Sequence, residues 1–74
     1  MTFDAADYKA AFSEAYQWGL AHAGPVDAPK MNAMCLDLQK IDVTTGKGLL
    51  LHELIKANIA YIAECYGIVK EGGS

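Results

Sequence analysis

The chain has 74 residues, 53% of them hydrophobic, and a formal net charge of −3. A domain this short buries only about 60% of the surface its unfolded chain exposes, so a second copy or a partner is expected to add burial. All six basic residues are lysines (Lys9, Lys30, Lys40, Lys47, Lys56 and Lys70) dispersed among acidic neighbours, which excludes the clustered basic surface that nucleic-acid binding requires.

Asp4 is a good first N-cap, with Asp7 at the capping-box position and Phe3 and Tyr8 placed to close a hydrophobic staple. Ala5, Tyr8, Phe12, Tyr16, Gly19, Leu20 and Ala23 then recur at helical spacing until Gly24-Pro25. This predicts a helix over roughly residues 5–23 with that stripe toward the core. Asp27 caps the next helix, and Pro29 falls in its first turn, where a missing N–H costs little. Met31, Met34, Cys35, Leu38 and Ile41 form its apolar stripe over roughly residues 28–41, with Asn32, Asp37, Gln39 and Lys40 on other faces. Residues 42–48 are a polar turn in which Thr44 or Thr45 caps the third and longest helix, over roughly residues 46–69. Leu51, Ile55, Asn58, Ile62, Cys65 and Val69 follow a 4-3-4-3-4 spacing there. Leu54, Ile59, Tyr61 and Tyr66 widen this stripe to suit the centre of a bundle.

Residues 70–74 read as a flexible tail. The fold class expected is all-α, with one domain over residues 1–69. Its three helices should form an antiparallel bundle, standing alone or as half of a larger dimeric helical bundle. The most apolar stretch, Leu49 to Val69, carries His52, Glu53, Lys56, Asn58 and Glu64, too many polar groups for a membrane span. Without a CxxC or a leader-like opening, the expected location is cytoplasmic, with Cys35 and Cys65 reduced and packed in apolar stripes.

The motifs that resemble chemistry are incomplete. His52-Glu53 opens like the zinc-hydrolase helix motif, but Lys56 stands where the second histidine belongs. Thr44-Thr45-Gly46-Lys47-Gly48 resembles a phosphate loop without the upstream glycine, the preceding strand or the hydroxyl after the lysine. Free N–H groups at a helix start still attract anions. Thr44, Thr45 and Lys47, with Tyr61 or Tyr66, therefore form the candidate site for a small anionic ligand. No catalytic residue, metal or cofactor is expected, and the chain reads as a binder, not an enzyme.

Two features point to contacts. Asn58 lies mid-stripe, where an unsatisfied amide costs about 1 to 3 kcal/mol. It either pairs with its symmetry mate or bonds another helix of its own chain, and with Leu51, Ile55 and Ile62 it makes the candidate oligomer interface. Trp18 projects away from the Tyr8–Phe12–Tyr16–Leu20 stripe, beside Ala15 and His22, while Leu36 lies opposite the Met34–Leu38 stripe. Trp18, Ala15, His22 and Leu36 are thus the candidate partner-binding patch, tryptophan being a favoured interface anchor. The small-residue strip Ala60, Ala63 and Gly67 reads as helix surface.

Short length, acidic charge, full helicity and spare apolar patches resemble those of small inhibitors and adaptors, including phage-encoded anti-defence proteins of the anti-CRISPR kind. The function expected is a homodimeric protein–protein interaction module that binds a larger protein and blocks or bridges it. The alternative is an oligomeric binder that sequesters a small anionic ligand or nucleotide. The partners expected are a second copy and a larger protein, with no nucleic acid and no membrane.

Overall fold

The computed structural model describes residues 4–69, most of them in three helices: α1 (Ala5–Ala21), α2 (Ala28–Gln39) and α3 (Gly46–Tyr66). Each helix begins where the sequence supplies a side-chain oxygen for an orphan N–H. Asp4 accepts from the Asp7 N–H at 2.8 Å, Asp27 from the Lys30 N–H at 2.8 Å and Thr45 from the Gly48 N–H at 3.0 Å. Thr45 is thus the cap of α3, whereas Thr44 donates its N–H and its hydroxyl to Asp42. This turn folds tightly onto α3, and a Cβ on Gly48 would stand 1.6 Å from the Asp42 carbonyl oxygen. The Phe3 half of the expected staple and the 70–74 tail lie outside the described residues.

The helices stop two to three residues earlier than the apolar spacing predicts. The clearest case is α3, which ends at Gly67 with φ +84° and ψ 161°, a region that only glycine occupies cheaply. Ile68 and Val69 then run extended beside Val26. The Val26 N–H donates to the Gly67 carbonyl at 3.1 Å and the Val69 N–H to the Val26 carbonyl at 2.7 Å, making a parallel bridge. Two β-branched residues behind a glycine favour extended backbone, which is why Val69 does not continue the helical stripe.

The C-terminal ends of α1 and α3 lie together, so the two run in the same direction. Glu14 meets Lys47, Ala15 meets Asn58, and beyond the helix ends Val26 meets Gly67 and Val69. The intervening α2 carries the chain back, and its Asp37 meets Trp18 and His22 of α1.

Among the described residues the buried core is Ala11, Ala15, Val26, Met34, Ile55 and Ile62, with Trp18, Met31 and Ile59 packed against its Val26–Met34–Ile62 part. This reverses the expected orientation of α1. The small side, Ala11 and Ala15, faces inward, and Tyr8, Phe12, Tyr16 and Leu20 are exposed. Helices approach closely only where the contact residues are small. Gly19 extends the small row, and a Cβ there would lie 3.4 Å from Asn58 Nδ2.

Candidate functional site

Trp18 is half-buried on the α2 side of α1. Its Nε1 donates to Asp37 Oδ2 at 3.2 Å, and its ring stacks on His22 with centroids 4.0 Å apart and planes at 24°. His22 Nδ1 donates to the Trp18 carbonyl at 2.8 Å, since a carbonyl can only accept, and Nε2 lies 3.6 Å from Asp37 Oδ2. Asp37, which the sequence places merely on a polar face, therefore holds α2 onto the end of α1. An indole that packs its ring on a core and finds an acceptor for its N–H has both parts of its side chain satisfied. Of the expected partner patch, Trp18 and His22 are brought together but turned to their own chain, Ala15 is buried, and Leu36 is exposed.

The expected oligomer interface also serves the chain's own packing. Ile55 and Ile62 are buried and Leu51 is half-buried. Asn58 Nδ2 donates to the Ala15 carbonyl at 2.8 Å, the expected bond to another helix of the same chain.

The anion-site residues are not assembled. Lys47 Nζ lies 2.7 Å from Glu14 Oε1, the Thr45 hydroxyl caps Gly48, and the Thr44 hydroxyl bonds Asp42. The Asp42 carboxyl is held below the usual carboxylate range, first by the Thr44 hydroxyl and then by the Thr44 N–H, so a carboxylate already occupies the threonine's donors. Tyr61 and Tyr66 lie fourteen and nineteen positions beyond Lys47 on α3, about 21 and 28 Å away at 1.5 Å per residue. Cys35 is half-buried, but Cys65, expected in packing, is exposed, because α1 ends at Ala21 and leaves the last turn of α3 uncovered. Cys65 pushes the neighbouring Tyr61 phenol above its usual value, chiefly through a side-chain hydrogen bond.

The other side of the α1–α3 pair is open. Phe12 (54% exposed), Tyr16 (65%) and Leu20 (57%) stand four positions apart on α1, and Tyr61 (66%) and Tyr66 (50%) stand on α3. A groove of about 210 Å³ runs between Tyr16 and Leu20 on one wall and Tyr61 and Tyr66 on the other, over Gly19, Asn58 and Ile62. No charged side chain lines it. Sequence reasoning identifies this row as a stripe but assigns it to the core. The signal that would have placed it outside is the adjacent row Ala11, Ala15 and Gly19, small residues four apart.

Among the described residues no group of three or more His, Cys, Asp or Glu is placed to hold a metal, and no helix is long and apolar enough to cross a membrane. No protein-family model, curated protein or solved structure matches the chain.

Proposed function

We propose that the chain is a protein-interaction module whose contact surface is the open α1–α3 face. One observation carries the reading: Tyr16, Leu20, Tyr61 and Tyr66, each at least half exposed, gather around a single uncharged groove, with exposed Phe12 one turn before Tyr16. Monomeric soluble proteins rarely leave contiguous apolar patches larger than a few hundred Å² in water, and larger ones mark contact sites. Tyrosine suits such a surface because it is large, rigid and apolar with one polar handle. A module of this kind acts by occupying its partner's surface, and so blocks or bridges what it binds. The anchor is then the aromatic row of α1, with Trp18 left to hold α2 in place.

Photo-crosslinking side chains placed at Tyr16, at Tyr61 and at Leu36, in cells that make the protein, test the assignment. Protein adducts from Tyr16 and Tyr61 but none from Leu36 are expected. Adducts from Leu36 alone would sink the assignment of this face.

A further inference from the structure

We infer that the occupant of the open face is a second copy of this chain, an inference that rests on the reading of that face as a contact surface. The first argument is area. Phe12, Tyr16, Leu20, Tyr61 and Tyr66 each expose half or more of their surface. At about 200 Å² for each such residue this comes to roughly 600 Å² per copy. Two copies that covered this face completely would bury roughly 1,200 Å², the lower end of the range of about 1,200–2,000 Å² found for stable, specific interfaces.

The second argument is shape. A two-fold contact uses the same patch on both partners, so the patch must fit itself. This one can, because it carries a ridge and a groove side by side. Phe12, Tyr16 and Leu20, each four positions apart, form the ridge, and the 210 Å³ groove beside Tyr16 and Leu20 has room to receive one of its large side chains. Ridges with four-residue spacing interdigitate when helices cross at about −50°, the commonest packing class. The third argument is charge. The chain carries −3, which opposes association of two copies at long range, yet no charged residue lines the groove. The buried centre of the contact is therefore neutral, and the like charges stay at a screened rim.

The test is the solution mass of the full chain by sedimentation and native mass spectrometry across the micromolar range. The wild type should have twice the 8.0 kDa chain mass. Tyr16→Glu and Leu20→Glu, made separately, should each weaken self-association about 100-fold, because the two-fold contact places two new like charges at its centre. Leu36→Glu, on the α2 side, should leave the dimer intact. Both glutamates replace exposed side chains, so far-UV circular dichroism should report unchanged helicity; if one variant unfolds, the other decides. A wild type that stays monomeric at high micromolar concentration would overturn the inference, as would a dimer indifferent to both glutamates. A monomer whose Tyr16 position still crosslinks to a larger protein would overturn the second copy while leaving the contact face standing, whereas a monomer with no adducts would remove both.

Discussion

Replacing Asn58 by alanine should loosen α1 from α3. Its Nδ2 donates to the Ala15 carbonyl at 2.8 Å across the two helices, and the amide fills the space beside Gly19. An intramolecular hydrogen bond contributes about 1 kcal/mol net, and removing the half-buried amide leaves a small gap, so the loss should be about 1 to 1.5 kcal/mol. In a domain of this size that lowers Tm by roughly 4–12 °C. Asn58→Asp should cost more at neutral pH, about 1 to 3 kcal/mol, because a carboxylate would then face a carbonyl oxygen. Part of that loss should return in acid, where the protonated carboxyl can donate again. Thermal unfolding followed by circular dichroism, with sedimentation on the same samples, reads stability and association separately. An Asn58→Ala protein that melted with the wild type would refute the bond's role. One that split a wild-type dimer while keeping the monomer's stability would show that Asn58, on the groove floor, serves the second copy and not the α1–α3 pair.

Trp18→Phe keeps a ring on the core but removes the donor to Asp37. Urea unfolding should show a loss of about 1 to 2 kcal/mol, with crosslinking from Tyr16 unchanged; loss of the adduct at full stability would return Trp18 to the contact surface. Gly67→Ala meets a backbone at φ +84° that alanine adopts at a cost of about 1 to 3 kcal/mol. Hydrogen exchange at the Val69 amide, which donates to Val26, should then accelerate, and unchanged protection would mean the bridge does not depend on the glycine. The Asp42 carboxyl is held below its usual range, so it adds stability above its unfolded value that is lost as pH falls through the folded one. Below about pH 4, wild-type Tm should therefore fall more steeply than that of Asp42→Asn, and equal slopes would count against the Asp42–Thr44 turn.

What could be read from the sequence was local. Asp4, Asp27 and Thr45 are short oxygen-bearing side chains directly before helical runs, and each caps its helix as its chemistry implies. The choice of face on α1 was not local. Two apolar rows lie side by side there, and which one is buried depends on the helix that arrives from α3, forty residues later, as in the Ala15–Asn58 bond. Spacing favoured the row with the larger residues, whereas close approach selected the smaller. The Trp18–Asp37 bond was hidden for a related reason, because the two residues lie nineteen positions apart and no periodicity links them. At the end of α3 the signal was present: Gly67 is a stop, but the heptad spacing carried the predicted helix through it to Val69.

The reversal of α1 and the open face have one physical cause. Asn58 reaches the Ala15 carbonyl at 2.8 Å because Ala11, Ala15 and Gly19 let the two backbones come close. Had the row from Tyr8 to Leu20 faced α3, the rings would have held the axes farther apart and put that carbonyl beyond the reach of so short a side chain. The close approach that satisfies a polar group in the middle of α3 therefore also turns the aromatic row outward. With α2 committed to the other side through Trp18, His22 and Asp37, no described helix is left to cover that row. The contact surface thus follows from how the chain satisfies its own interior, and covering it falls to whatever binds there.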